Sequence, residues 1–167
     1  MIHPKIKIVG AAILKAKTVE VQPSDTELPA LLEEMYKVME EAKGIGLAAN
    51  QIGSSKRVFV MKARGTNEAF INPEVLSQEL PTTFEEGCLS IPGASAITKR
   101  FNKLKLRYFK PEDLTTPVEE TFEGTSAIAV QHEMDHLNGK LYIDQFGPVR
   151  KGMILDKHKK YLRAVNR

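Results

Sequence analysis

The stretch TSAIAVQHEMDHLN, residues 125–138, constrains the fold more than any other part of the chain. Its spacing predicts an α-helix with Val130, Met134 and Leu137 on one face, and further apolar residues extend around that face. A helix that is apolar on most sides is buried, so other elements must surround it. The same helix carries two histidines, which makes the interior of the protein a candidate place for chemistry.

His132 and His136 stand about one helical turn apart, so both imidazoles project from the same side of the helix. Glu133 follows the first of them, which completes the H-E-x-x-H arrangement of metal-dependent hydrolases. The alternative is a helix whose histidines are simply hydrogen-bonded in place. A catalytic site of this kind usually takes three protein ligands and keeps one position for water. The choice therefore depends on a third ligand.

No residue after the helix stands out as that ligand. Tyr142 occupies the position where one group of such hydrolases has a third histidine, and Glu133 is the last glutamate in the chain. Asp144 and Asp156 follow the motif, but neither has a second feature that singles it out. The candidate ligand must lie upstream.

Cys88, in FEEGCLSIPG, is the only cysteine. A lone cysteine is most often a small buried apolar residue, but its thiolate is also a strong ligand for Fe(II) or Zn(II). One cysteine cannot form an internal disulfide, and an exposed thiol is unfavourable in an oxidising compartment. We therefore expect a cytoplasmic protein. No apolar run approaches the length of a membrane span, so no membrane partner is expected.

The rest of the pattern predicts an α+β protein. An amphipathic helix is expected within residues 25–44, where apolar residues recur at helical spacing and Gly44 ends the pattern. Alternation or β-branched and aromatic content, broken by Gly, Pro and Asn, predicts strands at 57–61, 69–75, 103–109 and 118–124. The length suits a single domain, residues 1–167.

The segment GIGLAANQ, residues 44–51, also matches a relaxed dinucleotide-binding pattern, G-x-G-x-x-A. That pattern must follow a strand and open a helix, whereas these glycines end a helix and lead toward a strand. A dinucleotide site is therefore excluded. A helix cap followed by a turn accounts for Gly44 but leaves Gln51, a neutral amide in an apolar stretch, unexplained.

Three segments, GIGLAANQ (44–51), EGCLS (86–90) and QHEMDH (131–136), resemble in order and separation the signature motifs of bacterial peptide deformylase. The similarity continues through INPEV (71–75) and covers about residues 25–146. It implies antiparallel β-sheets surrounding the motif helix. The implied activity removes the formyl group from the N-terminal formyl-methionine of nascent polypeptides and releases formate.

The resemblance implies that Cys88, His132 and His136 hold one metal ion per chain. Fe(II) is the native ion that bacterial members imply, and Zn(II), Ni(II) or Co(II) are possible substitutes. Water at the open position would have its pKa lowered toward neutrality. Glu133 would take a proton as general base and pass it to the leaving amine as general acid.

The family resemblance assigns two donors to the charge that collects on the carbonyl oxygen, namely the Gln51 side-chain amide and the Leu89 N–H. The expected lining of a methionine pocket is Ile45, Gly46, Phe84 and Ile128. The three apolar residues of that lining would suit an ordinary core equally well. Thr125 and Ser126 stand where relatives commonly have bulky apolar residues, which leaves the shape of the pocket open.

The tail, residues 150–167, predicts a basic helix. Ile154, Tyr161, Leu162 and Val165 recur at helical spacing, and seven basic residues against one acid give the tail a net charge of +6. A solvated helix face is one explanation. A contact with ribosomal RNA is the other, because a basic stripe attracts phosphates. We expect the protein to act as a monomer.

Two other classes of function stay open at this point. A different H-E-x-x-H metallohydrolase, such as a peptidase, would have to explain why Cys88 precedes the motif and no usual third ligand follows it. A catalytically inactive relative that serves as a binding module would have to explain why Gln51, Glu133 and the candidate ligands are all present.

Overall fold

The computed structural model describes residues 2–165, which contain three α-helices and five β-strands. The helices are α1 (Leu28–Glu41), α2 (Gly124–Leu137) and α3 (Pro148–Val165). The strands are β1 (Gly46–Ala48), β2 (Val58–Ala63), β3 (Thr66–Gly87), β4 (Ser95–Lys110) and β5 (Asp113–Glu123). Short 3-10 helices occupy Ala12–Lys15, Ala49–Ile52 and Tyr142–Gln145.

The strands form one antiparallel sheet in the order β1-β2-β3-β4-β5. The predicted α+β class is confirmed, with a single bent sheet in place of the several sheets that were expected. Each predicted strand overlaps an observed one, but 69–75 is only part of β3. Residues 76–85 of β3 are mostly exposed on both faces, so they carry no alternating apolar pattern. Strand β1 has three residues, too few for a pattern to show.

Helix α2 is buried, as predicted. Its apolar side chains pack against the inner face of the sheet in a cluster that includes Ala127, Val130, Met134, Leu137, Phe59, Phe70, Leu104, Leu106 and Phe122. The Gln131 amide fixes the helix to β4, because it accepts from the Phe101 N–H at 2.9 Å and donates to the Phe101 carbonyl at 2.7 Å. The helix ends before Gly139, whose φ is +71° and whose Cβ, if present, would lie 2.4 Å from the Lys15 carbonyl oxygen. Only glycine suits that position.

Helix α1 covers another part of the sheet. It begins at Leu28, three residues after the start of the predicted segment, with Pro29 in the first turn where its missing N–H breaks no helical bond. Its buried residues are Leu28, Leu32, Met35, Val38 and Met39. They pack in a cluster with Leu47 of β1 and Val58 and Val60 of β2, so α1 supports the strand that contains the GIGLAANQ motif.

Helix α3 extends the predicted basic tail by two residues at its start, and residues 166 and 167 of that prediction lie outside the described residues. Its buried residues are Ile154 and His158, whereas Val165 is 38% exposed. The predicted apolar face is therefore only partly correct. The reason is that the middle of α3 packs on the segment after β3, where Ile154 joins Ile91 and Tyr142 in one cluster. Within residues 2–165, no helix combines the length and apolar character that a membrane crossing requires.

Candidate metal centre

Three potential metal-binding side chains meet between the end of β3 and helix α2. Cys88 follows the last residue of β3, and His132 and His136 lie one turn apart on α2. One ligand atom from each lies within 4.8 Å of the others, and the Cys88 Sγ is 3.3 Å from His136 Nε2. In a tetrahedral site with bonds of about 2.0–2.3 Å, neighbouring ligand atoms stand roughly 3–4 Å apart. One thiolate and two imidazoles therefore suit a divalent transition metal and leave a position open.

The two histidines have different surroundings. His132 Nδ1 is 2.8 Å from Glu86 Oε1, whereas His136 Nδ1 is buried and has no hydrogen-bond partner among the described residues. Burial opposes the charged form of His132, but Cys88 and Glu86 outweigh it and raise the pKa of that imidazole well above its usual value. Burial and the nearby charge of His132 lower the pKa of His136 well below the usual value. The neutral form of His136 is the one that binds a metal.

Glu133 is buried beside the two histidines and is 4% exposed. Its Oε2 has no hydrogen-bond partner within the described part of the chain. The pKa of Glu133 is raised to about 7, and burial is the largest cause of this increase. The side chain rests on the backbone of Gly46, where a Cβ would lie 2.5 Å from Glu133 Oε1. This carboxyl group is thus able to gain and lose a proton near neutral pH.

Gln51 lies in the same buried region, on the 3-10 helix after β1. Its Oε1 accepts from the Ala48 N–H at 2.9 Å, which fixes the orientation of the amide. Its Nε2 donates to Ser90 Oγ at 3.1 Å and lies 3.7 Å from Cys88 Sγ. The Leu89 N–H, next to Cys88, has no acceptor within residues 2–165. Two N–H donors thus lie near the three candidate ligands.

A cleft of about 520 Å³ opens beside these groups. All four residues predicted to line a substrate pocket line this cleft, namely Ile45, Gly46, Phe84 and Ile128. Ile45 is 65% exposed and Phe84 38% exposed, so neither is an ordinary core residue. Thr125 also lines the cleft, and its hydroxyl group adds a polar atom to a mostly apolar wall.

Some residues of the site were not predicted from the sequence. The cleft wall includes the segment Pro92–Ala94, and Glu86 and Arg100 form a buried ion pair behind His132. The position of Glu86 in EGCLS, two residues before Cys88, was an available signal. Arg100 had none, because it reaches the site only through the pairing of β4 with β3.

The chain has an α+β fold and a buried helix with the H-E-x-x-H motif, and Cys88 directly follows a strand. Together these features define a metal-dependent hydrolase. The family model described as polypeptide deformylase matches residues 4–152. The chain belongs to the polypeptide deformylase family, as the motif resemblance predicted. The interpretation as another metallohydrolase, such as a peptidase, is therefore not supported.

Similar proteins are matched over nearly the whole chain. A peptide deformylase of Aquifex aeolicus is 40% identical over 165 residues, which cover 95% of this chain and 96% of that protein. The crystal structure of a peptide deformylase from Legionella pneumophila aligns with a TM-score of 0.91 at 36% identity, covering 98% of this chain and 97% of that one. An Acinetobacter baumannii peptide deformylase solved with Met-Ala-Ser bound aligns with a TM-score of 0.79 at 32% identity, covering 84% and 96%.

Proposed function

We propose that this protein removes the formyl group from the N-terminal formyl-methionine of nascent polypeptides and releases formate. The observation that carries the proposal is the meeting of Cys88, His132 and His136 beside buried Glu133 at an apolar cleft. Met-Ala-Ser, the peptide bound to the Acinetobacter baumannii relative, has the form of a deformylated N-terminus. Family membership supports the same reaction.

Cys88, His132 and His136 are the proposed ligands of one divalent ion. When bound, such an ion would polarise the formyl carbonyl and lower the pKa of the attacking water toward neutrality. The thiolate is a soft, charge-donating ligand and suits Fe(II), which we propose as the native ion, with Zn(II), Ni(II) or Co(II) as substitutes.

Glu133 is the proposed proton carrier. Its Oε2, which has no partner among the described residues, accepts a proton from the attacking water and then donates it to the nitrogen of the leaving amine. A pKa of about 7 lets the carboxyl group hold either protonation state at neutral pH. One side chain therefore serves as base and then as acid.

The Gln51 Nε2 and the Leu89 N–H are the proposed donors to the carbonyl oxygen as negative charge develops on it. The Ala48 N–H holds the other end of the Gln51 amide, so Nε2 is positioned before substrate arrives. Removal of one preorganised donor of this kind costs about 2.7–4 kcal/mol of transition-state stabilisation.

The methionine side chain is proposed to lie in the apolar cleft. Ile45 and Phe84 are partly exposed at this cleft, and Ile128 lies on the face of α2 that also carries His132. Gly46 leaves room for the carboxylate of Glu133. Thr125 lowers the apolar character of one wall, so the side-chain preference has to be measured with a peptide series that varies the first residue.

The primary experiment compares formyl-Met, acetyl-Met and unmodified peptides with the metal content measured in the same sample. The proposal requires formate release from the first peptide only. Glu133→Gln should keep the metal and lose several orders of magnitude in turnover, whereas Gln51→Ala should keep the metal and lose about 10²–10³-fold. Near wild-type turnover in Glu133→Gln would exclude the proposed proton carrier.

The choice of Fe(II) is tested by air exposure. Protein loaded with Fe(II) under nitrogen should lose activity in air far faster than the Ni(II) form, because Fe(II) and a coordinated thiolate are both open to oxidation. Equal lifetimes of the two forms would argue against iron held by Cys88.

We also propose that the protein is a monomeric, cytoplasmic single-domain enzyme and that α3 contacts ribosomal RNA. Lys157, Lys159, Lys160 and Arg163 are exposed on α3. Because α3 packs on residues near the cleft, substitution of these exposed residues by glutamine is a cleaner test than truncation. Ribosome binding that falls steeply with salt in the wild type and is weaker in the variant supports the contact. Unchanged ribosome binding in the variant would mean that the basic face of α3 is simply solvated. The proposed monomeric state is tested separately by size-exclusion chromatography.

A further inference from the structure

Two charged residues of the matched motifs have no part in the proposed chemistry, namely Glu86 of EGCLS and Asp135 of QHEMDH. Arg100 of β4, which belongs to neither motif, joins them. Glu86 is 5% exposed and Arg100 6% exposed. The three residues form a continuous series of hydrogen bonds that ends at His132.

Glu86 is held by four donors. Its Oε1 accepts from Arg100 Nη2 at 2.9 Å and from His132 Nδ1 at 2.8 Å. Its Oε2 accepts from Arg100 Nε at 2.6 Å and from the Thr98 hydroxyl group. The forked guanidinium matches both carboxylate oxygens, which fixes the plane of the carboxylate. Rotation of Glu86 would break several of these bonds at once.

This arrangement determines the proton position on His132. An ionised carboxylate can only accept hydrogen bonds, so Nδ1 of His132 must be the donor. In the neutral imidazole the lone pair then lies on Nε2, the other ring nitrogen, which is left to bind a metal. His136 is different, because its Nδ1 has no hydrogen-bond partner among the described residues. The side chain of Asn50 contacts only the backbone of His136, where Nδ2 donates to the carbonyl oxygen at 2.6 Å.

The far end of the series is Asp135. Arg100 Nη1 donates to Asp135 Oδ2 at 2.7 Å, and the Asp135 side chain is 28% exposed. Asp135 and Arg100 line a second cleft of about 450 Å³, which shares no lining residue with the cleft at the candidate metal centre. The series thus runs from a partly exposed carboxylate at the second cleft to a candidate ligand at the cleft of the metal centre.

Stability alone does not account for these buried charges. Removing an ion pair from water costs several kcal/mol, and well-packed apolar residues of similar volume often stabilise a protein as well or better. A role in orienting a metal ligand does account for them, because outer carboxylates that fix ligand histidines raise metal affinity.

We propose that Glu86, Arg100 and Asp135 are positioning residues that hold His132 in the tautomer and orientation needed for metal binding. This inference rests on the proposed metal centre. Glu86 acts directly on the ring, Arg100 fixes Glu86, and Asp135 fixes Arg100 from the solvent side. The effect on metal binding should therefore decrease along the series from Glu86 to Asp135.

The test measures Co(II) affinity by chelator competition and records the visible absorption of the Co(II) form. Glu86→Gln should weaken Co(II) binding about 100-fold and Arg100→Lys about tenfold, the two ends of the range for outer partners of metal ligands. Asp135→Asn should change affinity less but in the same direction. The visible absorption bands of Co(II) should shift in Glu86→Gln and Arg100→Lys, because a change in the orientation or basicity of His132 changes the ligand field at the ion.

Matched controls make the same chemical changes at exposed ion pairs. Arg107→Lys alters the pair with Glu74, and Asp156→Asn alters the pair with Lys159. Both controls should bind Co(II) as the wild type does. Circular dichroism monitors folding. If Glu86→Gln does not fold, the Co(II) affinities of Arg100→Lys and Asp135→Asn test the positioning role without it.

Two outcomes would overturn the proposal and are distinguishable. If the wild type binds Co(II) but Arg100→Lys and Asp135→Asn match it in affinity and spectrum, the positioning role is wrong and the metal centre stands. If the wild type itself binds no Co(II), the metal centre is wrong, and the proposed function fails with it.

Discussion

Gly46→Ala offers a sharp test of how the fold places Glu133. A Cβ at residue 46 would lie 2.5 Å from Glu133 Oε1, 3.0 Å from its Cδ and 3.1 Å from its Cγ. Ordinary contacts begin at 3.4 Å, so the carboxylate must move by about 0.9 Å. The strand cannot easily yield instead, because Gly46 is paired with Met61 of β2.

A displacement of about 1 Å in a catalytic group can lower the rate about 100-fold, which corresponds to about 2.7 kcal/mol of lost transition-state stabilisation. We therefore expect kcat/KM for a formyl-Met peptide to fall about 100-fold in Gly46→Ala, with the Ni(II) content unchanged. Steady-state kinetics on the Ni(II) form and metal analysis of the same sample measure both quantities.

Gly87→Ala is the matched control, because it adds a methyl group to the same cleft where the nearest atom, the Ala94 carbonyl oxygen, would be 3.6 Å away. The double variant Gly46→Ala/Glu133→Gln should be little worse than Glu133→Gln alone, since both changes act on one group. A kcat/KM within about threefold of wild type in Gly46→Ala, or an equal loss in Gly87→Ala, would refute the reasoning.

Four further predictions concern stability and the ligand set. Burial alone would raise the pKa of Glu86, but His132 and Arg100 outweigh it and lower the pKa to about 2. The metal-free protein should therefore lose up to about 3 kcal/mol of stability as pH falls from about 4.5 to about 2, and urea unfolding of Glu86→Gln should show a shallower loss over that range. In Gly152→Ala the new Cβ on α3 meets no atom within 4 Å, so the free energy of unfolding should rise by about 0.5–1 kcal/mol. Gly93→Ala should lower the free energy of unfolding, because φ is +79° and the new Cβ would lie 2.3 Å from the Cβ of Tyr161 in α3. Thermal unfolding distinguishes the two. Cys88→Ser should lose tight Co(II) and Ni(II) binding, because a hydroxyl group is a poor ligand at neutral pH, and wild-type affinity in that variant would remove Cys88 from the ligand set.

The sequence by itself determined the elements whose signal is local. The apolar positions of 125–138 repeat with the period of a helix, and that period alone puts His132 and His136 on one side of it. The alternation at 103–109 likewise marks the buried part of β4. The motif spacing was sufficient to indicate the family, because three short segments in a fixed order carry more information than any one of them.

The tertiary structure decided which groups meet, because contacts between distant segments depend on strand register and helix docking. Cys88 reaches α2 only because β3 continues through the exposed residues 76–85, which have no strand pattern of their own. Arg100 reaches Glu86 through the pairing of β3 with β4, and no local signal in β4 indicates that contact. The surroundings of Glu133 are likewise tertiary, because its carboxylate lies against Gly46, 87 positions earlier in the chain, where a Cβ would be 2.5 Å from Oε1 and only glycine leaves room for it.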